Sequence, residues 1–201
     1  AATVYDDSST RFGKNYEPKN YNGFKGLINI RSFIRTSQNI PAVKIMAELT
    51  PKKSLEYLQK MGITSLDPKT DNVLSLALGG MTSGVSPLEM ASAYGTIAND
   101  GVYITPTFYT SVTDADGSTV LTPKQETRQV ISNQNAYIMK TIVQEPVKSG
   151  GTATYCAIPG IDVAAKTGTT DNDYDRWLCG FTPYYAAATW YGYDTSETVY
   201  Y

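Results

Sequence analysis

The sequence predicts an α+β, α/β-sandwich-like domain in which a helical part precedes an antiparallel sheet. Three observations carry this expectation. Helix-start signals crowd the first half, above all the capping box Ser86-Pro87-Leu88-Glu89 with proline at the first helical position. Asp114-Ala115-Asp116-Gly117 lies between two short β-prone runs and reads as a hairpin turn. Three strand candidates, 163–170, 177–182 and 186–193, close the chain around a turn at Pro183-Tyr184. Helices followed by a run of strands is the α+β pattern.

Taken in order, residues 1–26 mix Gly, Asn, Pro, Tyr and Asp without helical or alternating periodicity, and are expected to form an extended arm on the surface. Residues 27–162 are expected to be mainly helical, with the hairpin near 108–121, and residues 163–201 to supply the sheet. A first helix starts with Asn29 as N-cap, turns Ile30, Phe33 and Ile34 inward, and ends near Thr36. Ser37-Gln38-Asn39 is a polar break before Ile40-Pro41 opens a second helix over 42–49, with Val43, Met46 and Ala47 inward. Thr50-Pro51 starts a third, which buries Leu55, Leu58 and Met61 and stops at Gly62. The run 74–81 ends in Gly79-Gly80, suited to close packing. The capping-box helix runs to Ala98 and stops at Asn99-Asp100-Gly101. Residues 102–130 turn to β character. A last helix, capped by Ser132, places Tyr137, Ile138, Ile142 and Val143 on its apolar face and ends before Pro146 and Gly150-Gly151.

Composition narrows the chemistry. In 201 residues, 41% apolar content is enough for a core, and 18% charged content is too low for a disordered chain. A net charge of −2 with no basic cluster argues against a nucleic-acid partner. Histidine is absent, which removes Ser-His-Asp and Cys-His catalysis and any histidine-based metal site from this chain. Proton transfer in acyl chemistry would then fall to Lys, carboxylates or Tyr. Cys156 and Cys179 lack metal-ligand spacing and read as two separate apolar fillers in preference to a disulfide. No cofactor or metal is expected. No apolar run reaches the length of a membrane span.

The stretch with the most chemistry is Val163-Ala164-Ala165-Lys166-Thr167-Gly168-Thr169-Thr170. On a strand, Lys166 and Gly168 share one face, and Thr167 and Thr169 the other. Glycine within a strand often marks close approach of a ligand or a second backbone. Lysine and threonine beside such an opening can hold a carboxylate; the plainer alternative is a half-buried strand with a solvated lysine. Ser37-Gln38-Asn39, set between two apolar helices, is a second candidate, with helix capping as its plainer alternative.

Five stretches together resemble one family. They are Tyr16-Glu17-Pro18-Lys19-Asn20-Tyr21, Ser37-Gln38-Asn39-Ile40-Pro41-Ala42-Val43-Lys44, Leu76-Ala77-Leu78-Gly79-Gly80-Met81 with Gly84-Val85-Ser86-Pro87-Leu88-Glu89, Lys166-Thr167-Gly168-Thr169-Thr170, and Trp190-Tyr191-Gly192-Tyr193-Asp194. In content and order they resemble the transpeptidase domain of class A high-molecular-weight penicillin-binding proteins, which are penicillin-recognising serine acyl transferases. That family carries Ser-x-x-Lys, Ser-x-Asn and Lys-Thr-Gly around its cleft. Ser37-Gln38-Asn39 matches the second and Lys166-Thr167-Gly168 the third, but no serine in the chain has lysine three residues later. The resemblance therefore implies an incomplete β-lactamase/transpeptidase-like fold. The nucleophile, early sheet strands, any glycosyltransferase domain and any membrane anchor would lie upstream, and the chain would not fold alone.

By the same resemblance, the reaction is D,D-transpeptidation of peptidoglycan stem peptides at the extracytoplasmic face of a bacterial membrane, blocked covalently by β-lactams. Ser37 would relay a proton to the departing amine, Asn39 would bond the substrate backbone, and Lys166 would keep the cleft positive and bond Ser37. Thr167 and Thr169 would meet the substrate carboxylate, the N–H of Thr169 would serve the oxyanion hole, and Gly168 would let the substrate lie alongside as an added strand. Water as acceptor, as in a D,D-carboxypeptidase or serine β-lactamase, is an open alternative, as is a non-catalytic β-lactam- or peptidoglycan-binding module.

Overall fold

In the computed structural model, which describes residues 2–200, the chain opens not on a loose arm but on a tethered one. Strand β1 (Val4–Asp7) pairs antiparallel with β2 (Gly26–Asn29), setting Asp7 opposite Gly26. Asp7 is fully buried; it accepts from Asn20 Nδ2 at 2.7 Å and from the Lys25 N–H at 2.9 Å. A buried carboxylate must be bonded on this scale, so the loop between the two strands is held in place. The expectation of a surface arm missed this because the partners are far apart in sequence.

Helix α1 (Ile30–Thr36) begins where its cap predicts, with Asn29 Oδ1 accepting from the Ser32 N–H at 2.9 Å and Phe33 buried. Helix α2 (Asn39–Leu49) starts three residues earlier than expected. Its buried stripe is Ile40, Val43 and Met46, while Ala47 lies on the open side. The earlier start gives Ile40 the inward seat one turn before Val43. Helix α3 (Pro51–Lys60) is capped by Thr50 and buries Leu55. The run 74–81 forms a 3-10 turn, Leu74–Leu78, closed by Gly79 at φ +88°. Helix α4 (Pro87–Ala98) carries the capping box in full, with the Ser86 and Glu89 side chains each bonding the other's backbone N–H. Met46, Leu55, Ile63, Leu66, Leu76 and Ala93 form the core of this helical half.

Four short strands follow: β3 (Val102–Ile104), β4 (Val112–Thr113), β5 (Thr119–Leu121) and β6 (Thr127–Gln129). They form two antiparallel ladders, β3 with β6 and β4 with β5. Every residue of β4 and β5 is exposed, so the hairpin projects from the body and its strands stay short. Helix α5 (Asn133–Val143) is capped by Ser132 and buries Ala136, Ile142 and Val143. Of the apolar residues read from the sequence, Tyr137 and Ile138 lie 66% and 40% exposed, while Ala136 is fully buried.

The closing sheet has the order β7 (Ala164–Thr169), β8 (Asp175–Phe181), β9 (Ala186–Gly192), antiparallel throughout. Helices α4 and α5 cover one face: Val143, Ala164 and Phe181 pack with Tyr94, Ile97, Ala98 and Met139. Burial of each large side chain there stabilises by about 1.5–3 kcal/mol. Ala164 faces the helices, so the alternation of β7 turns Lys166 and Gly168 to the same side. Cys156 and Cys179 are both free thiols, Cys179 buried.

Candidate active site

Ser37 sits where α1 ends. It occupies the left-handed region (φ 55°, ψ 48°), and its N–H returns to the Ile34 carbonyl at 3.3 Å. The conformation reverses the chain, so that Gln38 becomes the N-cap of α2 and Asn39 its first residue. Gln38 is 2% exposed, packed against the arm residues and Thr36. The Asn39 and Ile40 N–H groups, orphan donors at a helix start, are both accepted by Asn20 Oδ1, at 2.8 and 3.2 Å. The tethered arm is thus what holds the Ser-x-Asn corner.

Lys166 reaches this corner from β7. Its Nζ donates to Ser37 Oγ at 2.7 Å and to the Thr167 carbonyl at 2.8 Å. Burial disfavours the ammonium and brings the lysine from its ordinary range down to about 8. The Ser37 hydroxyl, accepting from a cation, keeps its own proton to donate onward. A buried cation hydrogen-bonded to a hydroxyl can polarise that hydroxyl, attract an anion and shuttle a proton.

The remaining predicted residues line up less uniformly. Gly168 stands opposite Trp177, where an added Cβ would come within 3.3 Å of the Trp177 Cβ. Thr167 Oγ1 lies 3.1 Å from Thr152 Oγ1, and Thr169 is exposed at the strand's end, opposite Arg176. Asn39 does not bond Ser37 or Lys166; its Nδ2 donates to the Lys19 carbonyl at 2.7 Å. Thr152 is the residue that sequence reasoning passed over, since Gly150-Gly151 read only as the end of a helix. No cluster of three or more His, Cys, Asp or Glu with metal-site geometry occurs among the described residues.

Residues 2–200 match the family model described as the penicillin binding protein transpeptidase domain. The chain belongs to the penicillin-binding protein transpeptidase family. It is 36% identical over 208 residues to penicillin-binding protein 1A of Clostridium botulinum, covering 99% of this chain and 25% of that protein. Penicillin-binding protein 1F of Bacillus subtilis is 38% identical over 193 residues, covering 92% of this chain and 26% of that protein. This member of the family therefore spans about a quarter of the length of the curated relatives it matches. The fold agrees with solved family members. Penicillin-binding protein 1A from Haemophilus influenzae superposes with a TM-score of 0.85 at 22% identity, over 97% of this chain and 35% of that one. The PonA1 protein from Mycobacterium tuberculosis in complex with penicillin V gives 0.78 at 25% identity, over 93% and 53%. These are α+β transpeptidase-family structures, and the helices and antiparallel sheet described above follow that architecture.

Proposed function

We propose that this chain forms two walls of a D,D-transpeptidase cleft that cross-links peptidoglycan stem peptides through a serine acyl-enzyme. The nucleophile and its lysine partner come from a Ser-x-x-Lys segment outside the chain. The observation that carries the reading is the 2.7 Å bond from half-buried Lys166 to Ser37 Oγ, which joins the two family motifs in one place.

In this reading the outside serine attacks the penultimate D-Ala carbonyl of the donor peptide. An ester forms, the peptide bond breaks, and terminal D-Ala leaves as an amine carrying the proton. An acceptor amine then takes the acyl group and the serine recovers its proton. Splitting one acyl exchange into two steps is the gain from covalent catalysis. The departing amine must be protonated, and Ser37 holds a proton for it while accepting from Lys166. Thr167 and Thr169 supply hydroxyls for the terminal carboxylate, and Lys166 sustains positive potential there. The Thr169 N–H contributes to the oxyanion hole; one such donor is worth about 3–4 kcal/mol of barrier. Asn39 offers its amide oxygen to the substrate backbone while its nitrogen is held by Lys19. Gly168 leaves room on the edge of β7 for the peptide to add as a strand.

Stem peptides and β-lactams are the ligands, and the work is done at the extracytoplasmic face of the cell membrane. No helix among the described residues is long and apolar enough to cross a membrane. That a solved relative was obtained with penicillin V supports the β-lactam assignment. Labelling the full-length protein with a penicillin and mapping the adduct by mass spectrometry tests the reading. A long-lived adduct on a serine outside these 201 residues is expected. An adduct on Ser37, or rapid turnover of the penicillin, overturns it.

A further inference from the structure

The segment between α5 and β7 is braced against α1 by an unusual concentration of charge. Glu145 is 4% exposed and takes three cations: Arg35 through Nε at 3.1 Å and through Nη2, Lys148 at 2.7 Å and Arg31 at 3.6 Å. Burial opposes ionisation of Glu145, but Lys148 and Arg35 outweigh it and hold the carboxyl below its usual range. Arg31 also donates to the Thr141 carbonyl and hydroxyl, both at 2.8 Å. Three cations against one carboxylate leave a surplus of positive charge beside the next turn of chain.

That turn is Gly151-Thr152-Ala153, and its backbone is fixed from several directions. The Thr152 N–H donates to the Arg35 carbonyl at 3.2 Å, and the Ala153 N–H to the Pro146 carbonyl at 2.9 Å. Ala153 is buried, and Gly151 passes so close that an added Cβ would fall 2.1 Å from Pro146 O. The one part of the turn left reaching outward is the Thr152 hydroxyl, on an exposed residue, 3.1 Å from the hydroxyl of Thr167.

A threonine hydroxyl has one proton and two lone pairs. When Thr167 donates its proton to a carboxylate, its oxygen is free to accept, and Thr152 is the neighbour placed to donate to it. Either hydroxyl can donate at 3.1 Å, so an anion in front of Thr167 selects the order Thr152 to Thr167 to carboxylate. Each bond in such a chain polarises the next. We infer that Thr152 is a positioning residue for carboxylate recognition: it aims the Thr167 proton into the cleft and couples β7 to α1 through the Arg35 carbonyl. The inference rests on the proposal above that Thr167 meets the substrate's terminal carboxylate.

The test compares two acylating agents on the full-length protein, a penicillin with its free carboxylate and the methyl ester of the same penicillin. Thr152→Val keeps the shape and removes the hydroxyl. It is expected to slow acylation by the acid about 10-fold, the upper end of what one hydrogen bond between neutral groups contributes, and to change the ester rate little. Thr152→Ser is expected to restore the acid rate, and Thr152→Ala, which retains the backbone bond to Arg35, to repeat the valine result should the valine variant fold poorly. An unchanged acid-to-ester ratio in the hydroxyl-free variants overturns the inference, as does an equal fall with both agents that serine does not reverse. If the unmodified protein is acylated by neither agent, the transpeptidase reading itself falls and this inference with it.

Discussion

Lys166 Nζ and Ser37 Oγ, 129 residues apart in the chain, meet at 2.7 Å across the junction of the helical half and the sheet. Ser37 is presented by a left-handed residue at a helix end, and Lys166 by the alternation of a strand whose neighbour Ala164 is packed under α4 and α5. Neither position is adjustable without moving an element.

The first prediction concerns pH. Burial lowers Lys166 from 10.5 to about 8, so the ammonium form of the folded protein is lost as pH rises through about 8. Acylation by a penicillin should fall along a limb near that pH, and Lys166→Arg should move the limb out of reach while keeping the charge. Lys166→Ala should cost at least about 100-fold at pH 7, on the scale of removing a positioned electrostatic group. For stability the sign is opposite to a paired lysine: burial of the charge is a full penalty below about 8, shrinks between 8 and 10.5, and vanishes above. A pH-independent acylation rate from 6 to 10 would count against this role.

A second prediction follows from the backbone at Ser37. A non-glycine residue at φ 55° is strained by about 1 kcal/mol, and helix ends of this shape usually carry glycine. Ser37→Gly relieves that strain but removes the acceptor of the Lys166 ammonium, a bond worth about 1.5–3 kcal/mol, so it should lower thermal stability slightly while reducing acylation by orders of magnitude. A variant that is more stable or still fully active contradicts the placement of the hydroxyl.

Acid stability should track Glu89. Burial alone would raise this carboxyl, but bonds from the N–H and hydroxyl groups of Ser86 and Thr64 bring it down to about 2. Its contribution, at most about 2 kcal/mol once solvent screening of this partly exposed group is allowed for, is complete above pH 4.5, declines as pH falls towards 2, and is gone below. Glu89→Gln should lower the unfolding midpoint at pH 7, with the gap to the parent closing near pH 2. A gap that stays constant across this range excludes the linkage.

How much of this was legible in the sequence depends on the range of the interaction. Helix starts at Asn29, Thr50, Ser86 and Ser132 were readable because a cap and the N–H that donates to it lie within three residues. The three closing strands were readable from alternation, within two residues at each end. Ser37 and Lys166 were readable only through the family motifs, since nothing local distinguishes them from a capping serine and a surface lysine. Thr152 and the Glu145 cluster were not readable: their partners, Arg35 and Thr167, are set by packing between segments as much as 117 residues apart, from Arg35 to Thr152.

Adjacent glycines offer a fourth test. Gly151 has Pro146 O where a Cβ would go, whereas Gly150, at φ +79°, has open space. Gly151→Ala should destabilise by at least about 3 kcal/mol through backbone displacement, and Gly150→Ala by about 1 kcal/mol through strain alone. Thermal melts of the two variants in the full-length protein decide it; equal losses would contradict the packing of this turn.

Strand β7 is paired only with β8 among the described residues, so its other rim is a ready template for a second polypeptide. On the proposed function, a rim that admits the substrate peptide cannot be sealed by a permanent neighbour. It can only be made unattractive to the wrong one. Lys166 serves that end as well, since a charge in the middle of the strand opposes docking of an identical rim, and its ammonium already occupies the Thr167 carbonyl. On its proposed role, the residue that makes the cleft receptive to one chain would thus also guard against self-association. Its removal should show as a dimer fraction in sedimentation, in addition to lost activity.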